Sequence, residues 1–224
     1  MAKAKSETTA VEAAKPVAVV GKPIMLPKLD LRMIRIRLIG DAPLICHAWS
    51  MKAKRQMLDK QMGVATAGKE PKDPNQDFLD SLYTMVPQAK REIIPGDVVQ
   101  ASAEGGFGFP SVAFKNAAVT ACTSLGKAIT KVAARQAFHV MSELVHIDGV
   151  PSIREDMVII GMGTSDIRFR GEFKAWSCEI DVRYNARVLT DEQIVNLFNV
   201  AGFAVGVGEW RPERDGQFGL FHVG

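Results

Sequence analysis

The chain has 224 residues, 47% of them hydrophobic, which is enough to bury a core as one large domain or two small fused ones. No apolar run reaches the roughly 20 residues of a membrane span. The start, Met1-Ala-Lys-Ala-Lys-Ser6, leads into a polar stretch with no signal-peptide core, so a cytoplasmic location without membrane association is expected. A net charge of +3 permits a polyanionic partner without requiring one. Cys46, Cys122 and Cys178 are widely spaced and each sits among apolar residues, which reads as three reduced, buried thiols. His47, His139, His146 and His222 have no paired metal-ligand spacing, and no metal or cofactor is expected.

Residues 1–29 mix Ala, Val, Lys and Pro without a period, and Pro16, Pro23 and Pro27 interrupt any helix; a flexible arm is expected. Residues 30–224 read as one domain. From Asp30 to Ile39 alternation predicts a strand, with Ile34, Ile36 and Leu38 on one face and Met33, Arg35 and Arg37 on the other. Ser50 is a suitable N-cap for a helix from Met51 to about Gln61, which carries Lys52, Lys54, Arg55 and Lys60 against the single acid Asp59. A Gly- and Pro-rich insertion follows at about 62–77, then a short amphipathic piece over Phe78–Val86. Ile93-Ile94 and Val98-Val99 are candidate strands around the break at Pro95-Gly96.

Gly105-Gly-Phe-Gly-Phe-Pro-Ser111 runs into a slim, Ala-rich helix through Cys122 that includes Lys115, with Ser111 as its expected cap. A glycine loop opening a helix offers N–H groups to an anion, and a tight docking turn is the alternative; no Gly-Lys-Ser/Thr follows to mark a nucleotide loop. Lys127, Lys131 and Arg135 share a helix face. Phe138–Ile147 then reads as a strand that turns at Asp148-Gly149 to pair with Met157–Ile160. Within a second insertion, 148–174, a loop or hairpin interleaves Arg168, Arg170 and Lys174 with Phe169 and Phe173.

Trp176 to Tyr184 alternates as a strand. Thr190-Asp-Glu-Gln193 is a capping box for a helix expected to end at Gly202. Phe203–Val207 and Phe218–Val223 read as strands flanking a loop that packs Gly206, Gly208, Gly216 and Gly219 around Trp210, Arg211 and Arg214. Strand, helix, strand, loop and strand in this order predict an α+β fold: a modified ferredoxin-like (RNA-recognition-motif-like) core with an antiparallel sheet, packed helices and inserted loops or hairpin.

The loop Gly206-Val-Gly-Glu-Trp-Arg-Pro-Glu-Arg-Asp-Gly-Gln-Phe-Gly219 resembles the C-terminal glycine-rich loop of the RAMP superfamily, the modified ferredoxin-like backbone subunits of CRISPR effector complexes. Phe109-Pro-Ser-Val-Ala-Phe-Lys-Asn-Ala117 is similar to that superfamily's guide-facing helix start, and Leu38-Ile-Gly-Asp-Ala-Pro-Leu44 to its first strand and turn. His47-Ala-Trp-Ser-Met-Lys-Ala-Lys-Arg55 together with Gly208-Glu-Trp-Arg-Pro-Glu213 also resembles an uncharacterised bacteriophage and prophage family. These resemblances imply a phage-encoded protein that binds RNA or single-stranded DNA without catalysis and forms a homo-oligomer or filament along the strand. Binding of that kind needs cations for phosphates and flat side chains for bases. The candidates are Lys52, Lys54, Arg55, Lys115, Arg168, Phe169, Arg170, Lys174, Trp210, Arg211 and Arg214. Two further readings stand beside it: a RAMP-type RNA endonuclease that uses His47, and a phage structural or assembly protein whose N-terminal arm laces neighbours together.

Overall fold

The computed structural model of the protein describes residues 26–64, 71–126, 128–161 and 163–224. The expected arm through residue 25, residues 65–70 of the first insertion and Lys127 therefore fall outside the described residues. In chain order the elements are β1 (Leu31–Gly40), β2 (Leu44–Cys46), α1 (Met51–Gln61), α2 (Pro74–Asp80), β3 (Tyr83–Thr84), β4 (Arg91–Ile94), β5 (Gln100–Ala103) and β6 (Phe107–Pro110). They continue with α3 (Ser111–Ala121), α4 (Lys131–Ala137), β7 (Phe138–Val140), β8 (Leu144–Asp148), β9 (Pro151–Ile160), β10 (Thr164–Phe173), β11 (Ser177–Asn185), α5 (Asp191–Ala204) and β12 (Phe221–Val223). The protein is α+β, and the strands form two antiparallel sheets.

The larger sheet runs β12-β1-β11-β8-β6-β3, with β7 also paired to β11. Alternation builds it as expected: Ile36 and Leu38 of β1 and Cys178, Ile180, Val182 and Tyr184 of β11 turn inward and are buried. Arg35 lies opposite Asp181 on the outer face and bonds it at 2.7 Å. Over the inner face lie α3 and α5, which contribute Phe114, Ala117, Ala118, Ile194, Leu197 and Phe198 to the core. Edge-on aromatic contacts join the layers, Phe138 to Phe198 at 6.0 Å and Phe114 to Phe221 at 6.0 Å. All three cysteines are free and buried, and burial pushes the Cys178 thiol up to about 12.

The smaller sheet runs β2-β10-β9-β5-β4. Its main piece is the long β9–β10 hairpin, which displays Met157, 78% exposed, opposite Ile167. The partner of β9 is therefore β10 and not the strand before Asp148-Gly149; β8 pairs instead with β6 and β11. The expected single strand over 138–147 is broken at Ser142, whose φ is 69°, into β7 and β8.

The C-terminal helix also departs from expectation. It runs through Gly202 to Ala204, so Phe203–Val207 forms no strand, and the last strand is only Phe221–Val223. Gly202 is inside the helix because β12 presses on it: a Cβ there would sit 1.8 Å from the Phe221 carbonyl oxygen. At the other end the capping box forms as predicted, with Gln193 N donating to Thr190 Oγ1 at 3.2 Å and Thr190 N to Gln193 Oε1 at 3.0 Å. Thr190→Ala is expected to lower stability by about 1 kcal/mol, measured by urea unfolding. Among the described residues no helix is long and apolar enough to cross a membrane.

Candidate nucleic-acid interface

The C-terminal loop is laced to β2 and the turn before it by backbone bonds: Glu209 N to Ile45 O at 3.1 Å, Gly219 N to Pro43 O at 2.8 Å and Asp41 N to Leu220 O at 2.9 Å. Gly208, at φ 83°, lies so close to β2 that a Cβ would meet Ile45 O at 2.6 Å. Trp210 is held at φ 54°, a conformation rare for a bulky residue, and remains 43% exposed. Gly208 thus serves close approach of the loop to β2, while Gly206, Gly216 and Gly219 let the loop pack on its own backbone and side chains, and the loop then forms one wall of a cleft.

That cleft has a volume of about 580 Å³. Pro110, Val112 and Asn116 line it from the start of α3, Arg135 from α4, and Arg211 and Arg214 from the loop, above Ile45, His47 and Tyr83. Ser111 does not cap α3: Pro110 holds the cap position, no side chain caps the helix, and the Ser111 hydroxyl donates to Ser142 O at 2.5 Å. Arg211 is tied to Glu213 at 2.7 Å and to Gly208 O at 3.0 Å. Arg135 and Arg214 are exposed, and neither side chain has a hydrogen bond or ion pair among the described residues. His47 Nδ1 lies 3.6 Å from Glu209 Oε1. The His47 ring holds the half-buried Glu209 carboxyl below the usual carboxylate range, assisted by Arg170 and Arg211 and opposed by burial.

His47 also borders a second cleft of about 480 Å³, lined by Trp49, Ser50, Met57, Lys72, Asp77, Asp80, Arg168 and Phe169. A third, of about 240 Å³, shares Trp49 with the second and Tyr83 with the first and reaches Lys54. The three clefts form one run from Arg214 to the basic helix α1. Ser50 caps that helix by accepting from Ala53 N at 3.0 Å, and no α1 residue is buried.

The structure sorts the sequence candidates into several groups. Lys54, Arg168, Phe169, Arg211 and Arg214 line the run of clefts, and Lys52 and Arg55 stand exposed on α1 beside it. Arg168 Nε lies 2.8 Å from Asp166 Oδ2, as an ion pair without hydrogen-bond alignment. Arg170 is only 6% exposed and bonds Asp156 at 3.2 Å, so it faces the interior of the hairpin base and not a strand of phosphates. The same network holds Arg154 to Asp156 and Glu172, each at 2.8 Å, and sets Arg154 over the Phe218 ring at 4.6 Å, which fastens the hairpin to the C-terminal loop. Lys115 lies outside the clefts, 2.9 Å from His139, and burial lowers its pKa. Lys174 is exposed at the β10–β11 turn, and neither it nor Trp210 lines these three clefts.

Trp49, Tyr83 and Arg135 join the site without having been singled out for it. Trp49 sits directly before the Ser50 cap of the basic helix, and that adjacency was the available signal. Among the described residues no group of His, Cys, Asp and Glu is arranged to hold a metal ion. No protein-family model and no curated protein matches the sequence.

Proposed function

We propose that the protein binds single-stranded nucleic acid, without catalysis, as a phage-encoded homo-oligomer arrayed along the strand. The observation that carries this reading is the set of neighbouring clefts, linked by shared lining residues, that extends from Arg214 and Arg135 past His47 and Tyr83 to Trp49 and Lys54. Phosphates need unpaired cations such as Arg135, Arg214 and Lys54, and bases need an exposed ring such as Trp49. A ferredoxin-like core of the RAMP kind is supported by the order β12-β1-β11-β8 with α3 and α5 on one face, the path β-α-β-β-α-β. Purification with and without nuclease tests the proposal. Nucleic acid co-purifying with a ladder of assemblies that collapses after nuclease is expected; nucleic-acid-free protein of a single size that ignores single-stranded oligonucleotides at low salt contradicts it.

One observation favours a second reading. His47 and Glu209 face each other within the same run of clefts, the arrangement of a general base oriented by a carboxylate. Cleavage of a labelled RNA by the parent protein, abolished in His47→Ala with binding retained, would establish this reading over the non-catalytic one.

A further inference from the structure

The second cleft combines a ring, cations and one carboxylate whose role the phosphate path does not explain. Trp49, 60% exposed, stands on its rim. Of the acids in its wall, Asp80 accepts from Gln76 Nε2 at 2.8 Å and pairs with Arg91 at 3.3 Å. Asp166 is held by Lys72 and Arg168. Asp77, half-buried on α2, has neither a hydrogen bond nor an ion pair to its carboxylate among the described residues. A free carboxylate beside a phosphate path repels phosphate and accepts hydrogen bonds from N–H donors.

Guanine is the base that presents two adjacent N–H donors, N1–H and N2–H, on its pairing edge. Adenine and cytosine place a ring acceptor next to the amino group, and uracil and thymine flank one N–H with two carbonyls, so each opposes a carboxylate with a lone pair. We propose that this cleft is a guanine subsite on the nucleic-acid path, with the base stacked on Trp49 and both N–H donors on Asp77. Lys72 and Arg168, in the same wall, are already held by Asp166, and Lys72 also donates to Ile167 O, which leaves Asp77 as the free acceptor for the base edge. A volume of about 480 Å³ lies within the roughly 300–1,000 Å³ of small-ligand sites. The proposal rests on the strand-binding reading above.

The test is fluorescence anisotropy of the full chain with alternating thymine–guanine and thymine–adenine oligonucleotides of equal length at one low salt concentration. The parent protein is expected to bind the guanine oligonucleotide about tenfold more tightly. Asp77→Asn is expected to remove that preference and leave the adenine oligonucleotide's affinity unchanged, whereas Trp49→Ala weakens both. Equal affinity of the parent for the two overturns the guanine subsite while strand binding stands. A preference that survives in Asp77→Asn also overturns it. Failure of both oligonucleotides to bind overturns the strand-binding reading and the subsite with it.

Discussion

Replacing Gly202 with alanine is expected to destabilise the fold by roughly 3 kcal/mol or more. The direction is the informative part, because glycine to alanine in an ordinary helix interior gains about 1 kcal/mol. Gly202 lies within α5, but the added methyl would overlap the main chain of β12, 1.8 Å from Phe221 O and 2.6 Å from Phe221 C. Backbone cannot rotate away as a side chain can, so α5 must shift from β12 or β12 must leave β1. Phe221 is in edge contact with both Phe114 and Trp176, and the displacement would therefore reach the centre of the core. Urea unfolding of the parent and Gly202→Ala measures the difference; a variant as stable as the parent contradicts this packing.

The second large effect concerns binding. Arg135→Ala combined with Arg214→Ala is expected to weaken affinity for a single-stranded oligonucleotide roughly 10- to 100-fold. Both residues line the first cleft, and neither holds another part of the protein through its side chain among the described residues. The unfolding midpoint should accordingly stay that of the parent. If each arginine neutralises one phosphate, the slope of log affinity against log salt falls in magnitude by about 1.4. Arg211 is a poorer probe, since its bonds to Glu213 and Gly208 O shape the loop itself and alanine there would confound binding with folding. Unchanged affinity in the double variant would return the cleft to a structural role.

How far the sequence revealed this arrangement depended on the range of the interactions involved. The alternation of Ile34, Ile36 and Leu38 and of Cys178, Ile180 and Val182 marks β1 and β11, and the local caps at Ser50 and Thr190 mark α1 and α5, because their physics lies within a few residues. What failed was set by distant contacts. Gly202 looked like a helix end when its reason is the Phe221 carbonyl, and Asp148-Gly149 looked like a hairpin turn when β9 pairs across the register Asp156 to Arg168. The site shows the same division. Arg168 and Arg170 are indistinguishable in sequence, but the buried Asp156 sits on Arg170, deeper in the hairpin, while Arg168 opens onto a cleft. The aromatic and basic residues were visible as such; which of them converge was decided by the folding of the C-terminal loop against β2.

The most direct measurement of the central claim is the affinity of the intact protein for oligothymidine across a salt series. Binding at low salt is expected, weakening along a straight line of log affinity against log salt with a slope of about −0.7 for each phosphate held. Three or four contacts in the run of clefts would give roughly −2 to −3. No binding at low salt, or an affinity indifferent to salt, would contradict it.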